Sequence, residues 1–222
     1  MRGVFGIIPG MREELKPTLW RTARALANPD RLRLMRLVAA ANGKKGVSEL
    51  ADEAGLPVPT TSMYLRALNA RGLISVVRSG PYVYYGTESN RSLPVAIDIQ
   101  KSFRRLFKLK KLPKDWVDRL MPVLRAYSNP RREEMIRMLA ANSPLCYAEF
   151  LVRSGLCETS FLRHLGILES AGIVMRVANG EYSLAKSRNS LEAVFLSAAG
   201  DDLLPPHLYK SGGSARRVRN SK

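Results

Sequence analysis

The stretch that decides the fold reads GLPVPTTSMYLRALNARGLI, residues 55–74. Pro59 suits the first turn of a helix, where its missing N–H would have no partner. A buried stripe at helical spacing follows it, formed by Thr61, Leu65 and Leu68. Gly72 ends the pattern. The stretch therefore predicts a helix over residues 59–71 whose outer side carries small and hydroxyl-bearing side chains.

Two helices are predicted before this stretch. Asn28 is a good N-cap and Pro29 suits the first helical position. One apolar face of this first helix is formed by Leu34, Leu37, Val38 and Ala41. Residues 44–55, KKGVSELADEAG, predict a short second helix that ends at Gly55, a residue suited to the left-handed conformation. Its inward side is formed by Leu50 and Ala51.

A hairpin is predicted after the stretch. Residues 73–89, LISVVRSGPYVYYGTES, place β-branched and aromatic residues on both sides of Gly80-Pro81. Helix, short helix, tight turn, helix and hairpin together make a winged helix-turn-helix. In that fold the second helix of the pair enters the DNA major groove. Arg78, beside the hairpin turn, would reach phosphates or the adjacent minor groove.

The charge of the chain indicates its partners. Among 222 residues, 36 are Lys or Arg and 19 are Asp or Glu, which gives a net charge of +17. Nucleic acid is the leading partner for such a chain, and an anionic membrane surface is the second. Residues 101–114, KSFRRLFKLKKLPK, hold 7 basic residues and no acidic one. Their apolar residues are expected to pack inward while the basic ones contact phosphates. No run is long enough to span a membrane, and we expect a cytoplasmic protein that does not bind membranes.

The chain contains an internal repeat. RALANPDRLRLMRLVAA at 24–40 aligns with RAYSNPRREEMIRMLAA at 125–141, and Gly80 and Tyr82 align with Gly180 and Tyr182. The predicted fold class is therefore mainly α with small β-hairpin wings, in tandem winged helix-turn-helix domains. The second copy carries Glu158 and Glu169 around its equivalent of the DNA-facing helix. These carboxylates predict a role in packing or partner docking instead of DNA reading.

The predicted division of the chain has four parts. They are a winged helix-turn-helix DNA-binding domain at 1–92, a basic linker helix at 93–113, a second, degenerate winged-helix domain at 114–200 and a basic disordered tail at 201–222. Two pairing geometries are open. The two copies could pair inside one chain, or two chains could form a homodimer with reading heads about 34–36 Å apart. We expect the homodimer, because a dimer can read a palindrome.

The segments ALANPDRLRLMRLV and ELADEAGL…YLRALNARGLI resemble the ArsR-type repressors of bacteria and archaea, well over about 18–88 and weakly over about 120–185. The resemblance implies a dimeric transcription regulator of winged-helix fold. It places five residues on the DNA-facing helix: Thr60, Ser62, Met63, Tyr64 and Arg66. It also places Arg78 on the wing. The Cys-containing element of the family's metal sensors is replaced here by GVSEL at 46–50, so no metal cofactor is expected.

Further phosphate contacts are predicted from basic residues around the domain. They are Lys44, Lys45, Arg104, Lys108, Lys110 and Lys111. The remaining metal-like residues are expected to be buried and structural: Cys146, Cys157 and His164. No phosphate-binding loop, dinucleotide fingerprint or nucleophile elbow occurs, so no enzyme is predicted.

The predicted function is a sequence-specific DNA-binding transcription regulator, with repression as the expected sign and double-stranded DNA as the partner. The alternative is a winged-helix scaffold or nucleoprotein factor, used in replication, partition or protein docking, without operator specificity. A regulator should prefer its site over random DNA by roughly 10³-fold or more, whereas a scaffold should not.

Overall fold

The structure, a computed structural model, describes residues 19–41, 43–87, 94–107 and 113–186. Within these ranges it is mostly helical, with two small antiparallel sheets. The helices are α1 (Leu19–Leu26), α2 (Pro29–Ala40), α3 (Val47–Ala54), α4 (Val58–Asn69), α5 (Pro94–Phe107), α6 (Trp116–Tyr127), α7 (Pro130–Asn142), α8 (Tyr147–Ser154) and α9 (Glu158–Ser170). The strands are β1 (Lys45–Gly46), β2 (Ser75–Ser79), β3 (Tyr82–Gly86), β4 (Val174–Arg176) and β5 (Tyr182–Leu184).

The helix boundaries of the first half follow the residues that predicted them. The Asn28 side chain caps α2 by accepting a hydrogen bond of 2.9 Å from the Arg31 backbone N–H. Gly55 ends α3 in the left-handed conformation, with φ of 65°. The helix predicted over 59–71 spans Val58–Asn69 instead. It starts one residue earlier because the Pro57 carbonyl already accepts a bond of 2.9 Å from the N–H of Thr61.

The three helices α2, α3 and α4 pack against one another around a buried centre. The predicted inner stripe of α4 is confirmed, since its three members are fully buried: Thr61, Leu65 and Leu68. The predicted inner residues of α3, Leu50 and Ala51, are buried as well. Burial of this stripe fixes the rotation of α4, and so decides which of its side chains face outward.

The predicted hairpin is present as β2 and β3, with Ser79 opposite Tyr82 and Gly80 in the turn at φ of 57°. The sheet has a third strand, β1, in which Lys45 lies opposite Tyr85. The sequence did not predict β1, because a two-residue strand has no periodicity of its own and forms only through its partner. The wing is thereby attached to the start of α3.

Helix α5 belongs to the packed first half. Ile99 and Phe103 are buried, and α5 packs against α2. The Gln100 side chain donates a hydrogen bond of 2.8 Å to the Leu73 carbonyl. The described part of the predicted linker helix 93–113 is therefore a docked helix. Three of the predicted phosphate contacts lie outside the described residues, as does the predicted tail: Lys108, Lys110, Lys111 and 201–222.

The elements from α6 to β5 follow the order of α1 to β3, four helices and then a hairpin, except that a single bridge at Leu145 stands in the place of β1. Asn129 caps α7 as Asn28 caps α2, accepting a bond of 2.9 Å from the Arg131 N–H. The sequence alignment of Tyr82 with Tyr182 is wrong. Tyr182 is buried and pairs with Leu145 as Tyr85 pairs with Lys45, because the second hairpin is shorter.

The two halves are in contact within one chain. Helix α1 packs against α6 and α7, and α2 also packs against α6. The Trp20 backbone N–H donates a hydrogen bond of 2.9 Å to the Glu133 carboxylate, which also pairs with Arg137. One buried apolar cluster includes residues of both halves, among them Leu26 and Leu124. This contact joins the two halves inside one chain, while the pairing of two winged-helix copies and homodimerisation both stay predictions.

Candidate nucleic-acid interface

The outer side of α4 is exposed to solvent in the fold. The Met63 side chain is 56% exposed, Arg66 is exposed, and Thr60 and Ser62 are partly exposed. An Arg66 guanidinium nitrogen donates a hydrogen bond of 3.0 Å to the Ser62 hydroxyl. Val58, at the first turn, is also exposed. The first two turns thus present the hydroxyls of Thr60 and Ser62 beside the apolar Val58 and Met63, and Arg66 follows one turn later.

The wing extends this surface. Val76 and Arg78 are two residues apart in β2, and both are exposed, as expected for side chains on one face of a strand. Burial raises the pKa of the Tyr85 hydroxyl, while the positive charges of Arg66 and Arg78 act to lower that pKa. Arg66 of α4 and Arg78 of β2 are both exposed, so the helix and the wing each present a cation to solvent.

The tip of the wing carries an aromatic residue that the sequence prediction missed. The Tyr82 side chain is 65% exposed beside the hairpin turn, and its ring lies 6.4 Å from that of Tyr84. The exposure of Tyr82 could have been predicted from its position immediately after Gly80-Pro81, because a residue at a hairpin tip has few neighbours. Tyr82 can offer a hydroxyl and a ring face to a partner that approaches the wing.

Tyr64 faces the body of the domain more than the open surface. It is half-buried, and the Arg31 guanidinium of α2 lies 5.7 Å above its ring. Arg31 also donates a hydrogen bond of 3.1 Å to the Arg24 carbonyl, at the end of α1. The pair of Arg31 and Tyr64 therefore joins α1, α2 and α4.

The second half has an equivalent arrangement, in which an arginine contacts backbone carbonyls of one helix and an aromatic ring of another. The ring is that of His164 instead of Tyr64. Arg132 donates bonds of 2.6 Å and 2.7 Å to the Arg125 and Ala126 carbonyls, and a nitrogen of the same guanidinium lies 3.5 Å from His164 Nδ1. Burial lowers the pKa of His164, and Arg132, Arg163 and Arg131 lower it further. His164 is buried at this contact, and its lowered pKa favours the neutral imidazole there.

The predicted basic contacts outside α4 have different surroundings. The Lys45 ammonium pairs with Glu53, and lies 3.7 Å from a Glu49 oxygen. The hydrogen bond with Glu53 is the main reason why the pKa of Lys45 is raised. Lys45 thus fastens β1 to α3. Arg104 donates to the Thr87 carbonyl at the end of β3. Lys44 is exposed next to the sheet.

The matching surface of the second half mixes apolar and acidic side chains with the exposed Arg163 of α9. Val152 of α8 is 79% exposed, and Leu162 of α9 is 47% exposed. Glu158, at the start of α9, accepts a hydrogen bond of 2.7 Å from the Tyr147 hydroxyl. Glu169 lies 3.6 Å from Arg176. These residues give α9 an outer side unlike that of α4.

The two cysteines differ from the expectation of burial. Cys146 and Cys157 are both exposed, because they occupy the N-cap positions of α8 and α9, where the helix start faces solvent. A hydrogen bond with Ser160 is the main cause of a lowered pKa of the Cys157 thiol. Across the described ranges, no group of three His, Cys, Asp or Glu residues is arranged to hold a metal ion.

In the part of the chain that the structure describes, no helix has the length and apolarity needed to cross a membrane.

The region from the α2 cap to β2 holds α2, β1, α3 and α4, including the turn between α3 and α4. Residues 28–76 match the family model described as "Bacterial regulatory protein, arsR family". A helix-turn-helix domain of this arsR family suggests a DNA-binding transcription regulator, and regulators of the family are generally not enzymes. The match ends within β2, so α5 and the second half lie outside the arsR-family region. Neither the curated proteins nor the solved structures include a significant match to the chain.

The rotation of α4 in the arsR-family region yields a prediction. Met63→Ala should leave the melting temperature within about 2 °C of the parent, because an exposed side chain contributes little to stability. Leu65→Ala, two residues further on and fully buried, should lower the free energy of unfolding by about 2–5 kcal/mol. Thermal unfolding of the two variants measures the difference. A similar loss for both would mean that the rotation of α4 is wrong.

Proposed function

We propose that the chain is a sequence-specific DNA-binding transcription regulator. Helix α4 enters the major groove and reads base edges with its outer side. The observation that carries the proposal is the exposed outer side of α4, with Met63 and Arg66, followed by the exposed Arg78 on the wing. Two exposed cations, Arg66 inside the arsR-family match and Arg78 just beyond its end, suit a surface that follows a DNA backbone.

The side chains of this surface take different roles. Thr60, Ser62 and Met63 meet base edges, because they lie on the first turns of α4. Arg66 and Arg78 contact phosphates or the adjacent groove, and the exposed Tyr82 packs against the sugar-phosphate backbone. Lys44, Arg104 and the basic residues of 108–111 add phosphate contacts that do not depend on sequence. Tyr64 and Lys45 support the reading helix and the wing through Arg31 and Glu53.

The remaining parts of the chain serve pairing. We infer that 114–200 is a second winged-helix domain, that it pairs with the first through α1 and α6, and that it does not read DNA. The repeated element order and the Arg31 and Arg132 constructions support this inference. Such a chain has one helix-turn-helix that contacts DNA bases. A homodimer would give two of them on a palindrome and would need a surface other than the α1 and α6 contact.

Repression follows from occupancy, because a protein bound over a promoter excludes the polymerase. A cytoplasmic location agrees with this role. The alternative is a winged-helix scaffold that docks proteins or organises DNA without an operator. The exposed Val152 and Leu162 favour that alternative for the second half, because apolar side chains of this size at the surface suit a protein partner.

Selection of bound fragments from random duplex DNA tests the proposal. We expect one sequence to be enriched and to bind roughly 10³-fold or more tightly than random DNA. The affinity for both should fall steeply between about 50 and 200 mM salt, because Lys and Arg side chains displace condensed counterions. The Lys108, Lys110 and Lys111 to Ala variant should reduce the salt dependence and keep the sequence preference. Equal competition by random DNA would favour the scaffold, and a flat salt dependence would contradict the electrostatic basis of binding.

A further inference from the structure

A cavity of about 400 Å³ lies between α1, the start of α2 and the end of α4. Its volume is in the range of small-molecule sites, which are about 300–1,000 Å³. Three kinds of side chain line it. The indole of Trp20 and the methyl groups of Ala67 and Ala70 supply apolar wall, and arginines supply the polar part. The cavity is on the side of α4 that faces α1, away from the first turns that the proposed function assigns to bases.

The polar lining of the cavity is entirely cationic among the described residues. It consists of Arg21, Arg24, Arg31 and Arg71. Within the described ranges, no carboxylate pairs with Arg24, Arg31 or Arg71. Burial lowers the pKa of Arg71, and the charge of Arg21 lowers it further. Arg31 and Arg71 are partly buried, and a bound anion would offset the cost of burying these two cations.

Arg31 is held in place and incompletely bonded. Its guanidinium is fixed by the Arg24 carbonyl at 3.1 Å and by the Tyr64 ring at 5.7 Å. Its Nε is buried and has no hydrogen-bond partner. Buried donors in native proteins are nearly always bonded, so this unbonded Nε is a cost to the folded chain; because it is closed off from solvent, it is not itself a ligand contact. A guanidinium offers parallel N–H groups that suit the two oxygens of a carboxylate or phosphate.

We propose that this cavity binds a small organic oxyanion, with a carboxylate or phosphate group between Arg24, Arg31 and Arg71 and an apolar or aromatic body against Trp20 and the alanines. The arginines supply charge and bidentate hydrogen bonds, and the apolar wall supplies contact for the rest of the molecule.

Occupation of the cavity would link the two halves of the chain to α4. The ligand would touch α1 and α4 at once, and Trp20 of α1 donates its backbone N–H to Glu133 of α7. A ligand that binds one spacing of α1 and α4 better than another shifts the population toward that spacing. The regulation of DNA binding by the ligand rests on the proposed function, whereas the anion site itself does not.

Calorimetric titration of the full chain with phenyl phosphate, at low salt and without DNA, tests the site. We expect saturable binding to one site per chain. Arg71→Gln and Arg24→Gln should each weaken it by about tenfold or more, since each removes a charge-assisted hydrogen bond. Arg24 is exposed, so its variant keeps the test valid if Arg71→Gln impairs folding. The matched control is Arg33→Gln, on α2 outside the cavity and paired with Asp30 at 3.0 Å, which should bind like the parent.

Absence of saturable heat at millimolar phenyl phosphate would overturn the proposal, as would equal losses in Arg33→Gln and Arg71→Gln. A DNA phosphate is the other source of the same chemistry. If the cavity holds one, Arg71→Gln should weaken random duplex binding as much as Arg66→Ala while phenyl phosphate gives no saturable heat, and this result also rejects the small-molecule site. Phenyl phosphate binding with no DNA binding would instead reject the proposed function and leave the anion site standing.

Discussion

Replacing Leu124 with alanine should lower the free energy of unfolding by about 2–5 kcal/mol and should destabilise both halves of the chain together. Leu124 is fully buried in α6, which packs against α1 and α2 of the first half and against α9 of the second. The removed methyl groups leave a cavity in one shared apolar cluster. Neither half can relax around it without loss of contacts in the other.

Urea unfolding measures this effect. Tryptophan fluorescence reports on Trp20 of α1 and Trp116 of α6, and circular dichroism reports on all helices. The two signals should follow one transition, shifted to lower urea in the variant. Leu162→Ala is the matched control. Its side chain is 47% exposed on α9, and its effect should stay within about 0.5 kcal/mol. Two separate transitions, with only one shifted, would contradict a shared core.

Removal of both arginines of the candidate interface should have the largest effect on DNA binding. Arg66→Ala and Arg78→Ala should each lower the affinity for duplex DNA by about tenfold or more, because each removes a charge-assisted contact. The double variant should lose about 100-fold if the two contacts act independently. The slope of log affinity against log salt should become smaller by about 0.9 for each lost phosphate contact. The melting temperature should not change, since both side chains are exposed.

Fluorescence anisotropy with labelled duplex DNA, at several salt concentrations, measures the loss. Arg176→Ala on β4 is the matched control, because its side chain is 63% exposed on the hairpin of the second half. We expect the control to bind DNA like the parent. An equal loss in Arg176→Ala would show that both halves contact DNA, and unchanged binding in the double variant would remove the assigned surface.

The helices of the first half were predictable because their signals are local. The N-cap at Asn28, the left-handed Gly55 and the buried stripe of α4 each act within a few residues, and the structure contains all three. The hairpin was predictable for the same reason. The second half was predictable only where the repeat keeps these signals, and the alignment failed at Tyr182, where the hairpin is shorter.

The surroundings of single side chains could not be predicted, because they depend on residues distant in the chain. Tyr64 meets Arg31 across the domain, and Lys45 meets Glu53 through the attachment of β1. The cavity arginines come from three separate segments that no motif connects. The exposure of Cys157 was mispredicted, because composition favours burial of cysteine while an N-cap position places it in solvent.

Because α1 and α6 belong to one chain, the contact between them does not depend on protein concentration. Partners on separate chains dissociate when they are diluted below their dissociation constant. Partners joined by one polypeptide meet at an effective concentration set by their connection, about millimolar for a short flexible one, whatever the amount of protein. The paired arrangement of this molecule is therefore independent of copy number, and a single molecule in a cell would have it complete.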